Sequence, residues 1–212
     1  MGLSELQQVR LSQGREYRMT MAVRAAQGDN EAMIVEGYAT TFNDVYALYS
    51  YGNYTVEERI DPHAFDECDM SDVIMQYDHQ GRVFARTRNN TLQLRIDAKG
   101  LFITADLSGT ELGRQLYQEI KSGYTDRMSF GFVVGEDRKE YTQDHDSGQE
   151  TCTRTILRIK KLYDVSAVSI PANDMTSISA RAFFDGLIEG LAEERRQREK
   201  DKLNLKLLLE GI

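Results

Sequence analysis

The chain has 212 residues, 41% of them hydrophobic and 28% charged, enough for one well-buried core with a small appendage. A formal net charge of −8 argues against sequence-independent nucleic-acid binding, which needs a basic face for phosphates. No apolar run is long enough for a membrane span, and the two cysteines, Cys68 and Cys152, are too few for a disulfide framework and lack zinc-site spacing.

Residues 1–17 read as a flexible polar arm, with nothing in them resembling a signal peptide. Residues 18–24 alternate, with Met19, Met21 and Val23 on one side. Turn chemistry at Gln27-Gly28-Asp29-Asn30 then leads to a second strand over 32–41, which predicts a hairpin. Residues 43–55 are rich in tyrosine and read as a loop. Residues 57–60 are extended, and Asp61-Pro62 has the chemistry of a helix start. A strand over 73–77 ends at Asp78-His79. Strands over 81–87, 92–97 and 101–107 follow, the last two joined by a tight turn at Ala98-Lys99-Gly100.

The period then changes. Leu112, Leu116 and Ile120 recur every fourth residue between a Thr110 cap and a Gly123 stop, which predicts a helix. Residues 128–134 alternate again, 136–149 form a polar excursion, and 151–168 are extended. Beyond residue 180 an apolar stripe (Phe183, Leu187, Leu191), a charged run and a Leu-rich end predict a helical tail. That tail, 181–212, would lie outside a main domain at 18–180. Many strands with few helices make this an α+β, mainly β chain, an antiparallel β-barrel or sandwich with helices at its edges.

In Arg127-Met128-Ser129-Phe130-Gly131-Phe132 the large apolar side chains occupy every second position, so Ser129 and Gly131 share the opposite face. A lone serine beside a glycine suits a nucleophile that must meet another backbone, and it equally suits a small-residue face packed under a helix. A serine nucleophile needs a base near neutral pH. Of the three histidines, His79 is best placed, at the end of a strand. His63 falls in a helical turn and His145 in a solvated loop. The imidazole also needs an acceptor, and Asp164 is an acid inside an apolar strand, sharing a face with Ser166 while Val165 and Ala167 take the other. Asp78 is the poorer partner, because neighbours on a strand point to opposite faces. There is no nucleophile elbow, zinc-binding helix or phosphate loop, and no metal or cofactor is expected.

In their order, these pieces resemble the prohead (capsid-maturation) serine protease family of tailed bacteriophages over residues 32–180. The matching stretches begin with Glu36-Gly37-Tyr38-Ala39 and Phe42-Asn43, then Glu58-Arg59-Ile60 with Pro62-His63-Ala64-Phe65. Asp78-His79 and Lys99-Gly100-Leu101 follow. Met128-Ser129-Phe130-Gly131-Phe132 and Asp164-Val165-Ser166-Ala167-Val168, with Pro171-Ala172-Asn173 and Thr176, complete the set. The resemblance implies a β-barrel serine endopeptidase similar to the herpesvirus assembly protease. It implies Ser129 as nucleophile, His79 as general base and Asp164 as third member.

It further implies capsid precursor and scaffold proteins as substrates and partners, self-processing, and a place inside the assembling prohead in the host cytoplasm. Self-association into a homo-oligomer is compatible with it, whereas nucleic acid and membrane are not expected partners. Two positions depart from the family pattern: His63 stands where Gly is common, and Asp78 stands where Asn often precedes the base. Asp78 therefore competes with Asp164 for the orienting role. The rival expectation is an inactive, scaffold-type head-assembly protein that binds capsid subunits without cutting them.

Overall fold

A computed structural model describes residues 14–26, 32–51, 53–144 and 146–169, with scattered positions beyond 192. The chain divides into two units, Arg10–Ala172 and a second made of Met1–Val9 with Asn173–Ile212. All the elements below belong to the first. They are β1 (Arg15–Ala25), β2 (Ile34–Thr41), β3 (Tyr46–Tyr51), β4 (Tyr54–Ile60), β5 (Ile74–Tyr77) and β6 (Gln80–Arg86). Then come β7 (Leu92–Ile96), β8 (Gly100–Asp106), the helix α1 (Glu111–Lys121), β9 (Arg127–Gln143) and β10 (Glu150–Val168).

β10 is the spine. β9 lies antiparallel along one edge of it, while β4 and then β5 share its other edge, pairing at Glu150–Ile156 and Asp164–Ala167. The main path runs β3-β4-β10-β9-β1-β2-β8-β7, with β6 hung on β5. The expected antiparallel barrel is overturned by this topology. The sheet is open, ending at β3 and β7, and β10 pairs in parallel with both β4 and β5. Because β4 and β5 both run parallel to β10, they run the same way as each other, which tight hairpins alone cannot give. Among the described residues the expected edge helices reduce to α1, and no continuous C-terminal helical tail is traced. Most of 181–212 lies outside the described residues.

Three local expectations also change. The tyrosine-rich stretch is the β3–β4 hairpin, not a loop. The polar excursion is strand as far as Gln143, where β9 ends, and that part pairs with β10. A ribbon that is mostly polar on both faces carries no apolar alternation, so backbone pairing holds it without a sequence signal. Asp61-Pro62 opens turns, with Asp61 Oδ1 accepting the His63 N–H at 2.8 Å, not a helix. The α1 helix forms as its spacing predicts. Thr110 Oγ1 accepts the Gly113 N–H at 2.9 Å, Leu116, Tyr117 and Ile120 are buried, and Gly123 follows at φ +77°.

Met128, Phe130 and Phe132 of β9 and Val165 and Ala167 of β10 are fully buried in the core. The same face of β1, next to Phe130 and Phe132, carries a buried ionic network instead of apolar side chains. Arg18 Nε and Nη2 donate to the two Glu58 oxygens at 2.5 and 2.8 Å. Arg154 Nη1 donates to Glu58 at 3.1 Å and to Glu16 at 2.8 Å, and Tyr46 gives its hydroxyl proton to Glu58 at 2.6 Å. Burial alone would raise the Glu16 carboxyl, but Arg18 and Arg154 bring it down to about 2.

Removing one member of such a network strands the others as buried charge. Glu58→Ala is expected to destabilise the fold by about 3–5 kcal/mol, read by urea denaturation. Glu16 has a lower pKa folded than unfolded, so its contribution is complete above the ordinary value of 4.5 and is lost as pH falls towards about 2. Melting temperature should therefore drop across that window in the native chain, and less steeply in Glu16→Gln.

Candidate active site

The face of the sheet opposite the core is built by register. Across β10, β9 and β1, Ser166 lies beside Ser129, while Asp164 and Tyr17 flank Gly131. Alternation then puts Ser129, Gly131, Asp164, Ser166, Tyr17 and Arg15 on one side. On β10 this required an interruption. Leu162 is in the core, so simple alternation would carry Asp164 there too, but the register shifts between Leu162 and Asp164 and turns the carboxylate to the other face.

His79 arrives from the far edge of β10. β5 and β6 pair through Tyr77 and Gln80, leaving Asp78 and His79 as a two-residue turn. Both have positive φ, +48° and +57°, the backbone of a tight primed hairpin. Neither residue is glycine, so the conformation is held against a steric preference of about 1 kcal/mol or more per residue. Asp78 supplies the tether. Its N–H donates to the Ala167 carbonyl at 2.9 Å, and its carboxylate accepts from the Ser169 N–H at 2.9 Å and hydroxyl at 2.8 Å.

The turn sets the imidazole between the two strands. Its Nε2 lies 2.6 Å from Ser129 Oγ, and its Nδ1 is hydrogen-bonded to Asp164 Oδ1. A carboxylate only accepts, so Nδ1 carries the proton and Nε2 offers a lone pair to the serine hydroxyl. Ser166 Oγ donates to the same Asp164 oxygen at 2.8 Å. Burial of Asp164, 1% exposed, would raise its carboxyl, yet the hydrogen bond and charge of His79, the Ser166 hydroxyl and the Arg15 cation together hold it below the usual range. The Tyr17 ring packs on the imidazole, centroids 4.4 Å apart.

Each residue singled out from the sequence that falls among the described residues has a clear place. Ser129, His79 and Asp164 come together in one hydrogen-bonded line. Asp78 faces Ser169 and takes no part in it. His63 is exposed and bonds Asp66 at 3.0 Å, while His145 lies outside the described residues. Burial pushes the Cys68 thiol up to about 11, and Cys152 is core. Among the described residues no cluster of metal-binding side chains occurs. A cleft of about 340 Å³ beside β6 and the start of α1, lined by Arg82, Val83, Phe84, Thr110, Glu111 and Leu112, includes none of the three residues.

Sequence reasoning missed two contributors and the reason for a third. Tyr17 and Arg15 fall in the stretch read as a loose arm, because β1 begins at Arg15 and not at the expected Arg18. Gly131 was noticed, but its reason was not visible. A Cβ there would stand 2.5 Å from Asp164 Oδ2 and 2.7 Å from the Tyr17 ring.

A family model, caudovirus prohead serine protease, matches residues 19–185. The chain belongs to this family. It is a protease of phage head maturation. No curated protein and no solved structure matches it, and its expected likeness to the herpesvirus assembly protease is not shown. Among the protease's described residues, no helix is long and apolar enough to cross a membrane.

The space left by Gly131 gives a sharp test. Gly131→Ala must displace Asp164 or Tyr17, and misplacing such a group by an ångström costs on the order of 10²-fold in rate. The protease carrying it should act at least that much more slowly on any substrate the native chain cuts, while keeping its cooperative melt.

Proposed function

We propose that the protease is a serine endopeptidase in which Ser129 is the nucleophile, His79 the general base and Asp164 the residue that orients and charges the base. The observation that carries the reading is the line of hydrogen bonds from Asp164 through both nitrogens of His79 to Ser129. Membership of a serine protease family supports it.

In the first half-reaction Ser129 Oγ bonds to the substrate carbonyl carbon as its proton passes to His79 Nε2. The imidazolium then gives that proton to the departing amine, and the peptide C–N bond breaks, leaving an ester on Ser129. Water repeats the cycle: His79 takes its proton, the oxygen attacks the ester, and the serine leaves reprotonated. Throughout, Asp164 stays ionised and stabilises the cation next to it, which its depressed pKa favours.

The substrates are capsid precursor and scaffold segments inside the prohead, and the chain's own ends by self-processing. Ser129 is 4% exposed, so an extended, unfolded segment can be drawn to it more readily than a rigid folded surface. The catalytic unit corresponds to Arg10–Ala172, which contains all three residues.

Co-expression of the chain with the phage's own capsid precursor, read by intact mass, tests this directly. Ser129→Ala and His79→Ala should each abolish new cleavage products, a loss of roughly 10⁴-fold or more, and the double variant should be no worse than either. Native-rate processing by Ser129→Ala would refute the mechanism. Asp164→Asn is expected to leave slow, measurable turnover, whereas Asp78→Asn, which alters only the tether to Ser169, should cost much less.

A further inference from the structure

We propose that Arg15 is a positioning residue of this site, holding the buried outer oxygen of Asp164 so that the carboxylate stays charged and turned towards His79. The inference rests on the catalytic reading above and adds a residue to it. Asp164 divides its two oxygens unequally. Oδ1 accepts from both His79 and Ser166, while Oδ2 is buried and accepts no hydrogen bond. Among the described residues, the basic side chains within ion-pair reach of Asp164 are the imidazole of His79 and the cation of Arg15, whose Nη1 stands 4.0 Å from Oδ2.

Arg15 is held there by its surroundings. Its guanidinium lies 3.5 Å from the centroid of the Tyr163 ring, the residue before Asp164 on β10, and its side chain is 13% exposed. The register of β1 on β9, Arg15 beside Val133 and Tyr17 beside Gly131, places it on the same face as the three reacting residues. The other groups around the contact are accounted for. Lys161 also lies over Tyr163, at 5.3 Å, but pairs with Asp69 at 2.6 Å. From β1 the neighbour is Tyr17, from β9 the Ser129 hydroxyl, from the β5–β6 turn His79, and Asp78 points to Ser169. A buried carboxylate with one oxygen unbonded favours taking up a proton, and a fixed cation opposes that. A protonated Asp164 could not stabilise the imidazolium, so Arg15 acts on the reaction through Asp164 without touching the substrate.

The experiment uses the full chain and a fluorophosphonate probe, with which Ser129 Oγ forms a bond to phosphorus as fluoride leaves and His79 takes the proton. The labelling rate is followed against pH; its acid limb is the readout of proton uptake at the site. Removing a nearby cation makes proton uptake easier. Arg15→Met should therefore move the acid limb up by about 0.5–1 pH unit and lower the plateau rate by about five- to tenfold. Arg15→Lys, which keeps the charge, should return the limb close to the native position. Tyr163→Leu, which removes the platform but not the cation, should shift it in the same direction by a smaller amount. A purely structural Arg15 would lower the melting temperature and leave the limb of the folded fraction unmoved, and that result overturns the proposal. Should Arg15→Met fail to fold, Arg15→Gln and Tyr163→Leu carry the same comparison. If the native chain neither labels nor cuts capsid precursor, the catalytic reading fails, and the role of Arg15 with it.

Discussion

Asp164 has lost nearly all its water, and an ionised carboxylate so placed is unfavourable by several kcal/mol unless its neighbours replace the solvent. Each neighbour that does so comes from a different part of the chain: His79 from the β5–β6 turn, Ser166 from two positions along β10, Arg15 from β1. The carboxylate can be buried only after β9, β10, β1 and β5 have found their register. The charge therefore ties the chemistry of the site to completion of the sheet. Gly131 belongs to the same constraint, because a side chain on β9 at that row would occupy the space into which Asp164 and Tyr17 reach.

β1 shows how tightly register is specified. Its odd positions, Arg15 and Tyr17, face Asp164 and His79, and its even positions, Glu16 and Arg18, enter the buried network with Glu58 and Arg154. A slip of one residue would exchange the two sets, putting Glu16 and Arg18 beside Asp164 and His79. Both faces would then hold unpaired charge. An apolar strand could tolerate that slip more easily, since its side chains are interchangeable in kind. The ionic network is thus a register device as well as a stabilising one, and it explains why strongly charged residues stand beside Phe130 and Phe132.

How much of this was legible in the chain depends on whether the signal was local. The alternation of Met128, Phe130 and Phe132 revealed the face of Ser129, and an acid among Val165 and Ala167 marked Asp164 as needing a reason. The helix α1 announced itself through Thr110, its leucine spacing and Gly123. What failed were features with no local signature. Sheet closure depends on which edges meet, and nothing in β4 or β5 says that both run parallel to β10. The far half of β9 is polar on both faces, so pairing alone defines it. The turn at Asp78-His79 lacks the Asn-Gly or Asp-Gly chemistry that usually marks such hairpins, and so it read as a strand end. Arg15 and Tyr17 were hidden for a related reason: the apolar alternation by which β1 was found starts only after them.

That turn also explains why His79 is so firmly placed. Two consecutive non-glycine residues with positive φ would relax elsewhere if the hairpin were free, and a relaxed turn would swing the imidazole off Ser129. The backbone bond of Asp78 to Ala167 and the two bonds of its carboxylate to Ser169 clamp one side of the turn to the end of β10. The imidazole is fixed on its other side by Asp164, on the same strand. His79, Asp164 and the turn tether are therefore all referred to residues 164–169, along and just past the end of β10, so small motions of β5 and β6 as a pair are resisted at both ends. Asp78, which competed on sequence grounds for the orienting role, has a different place: it holds the backbone from which His79 reaches Ser129.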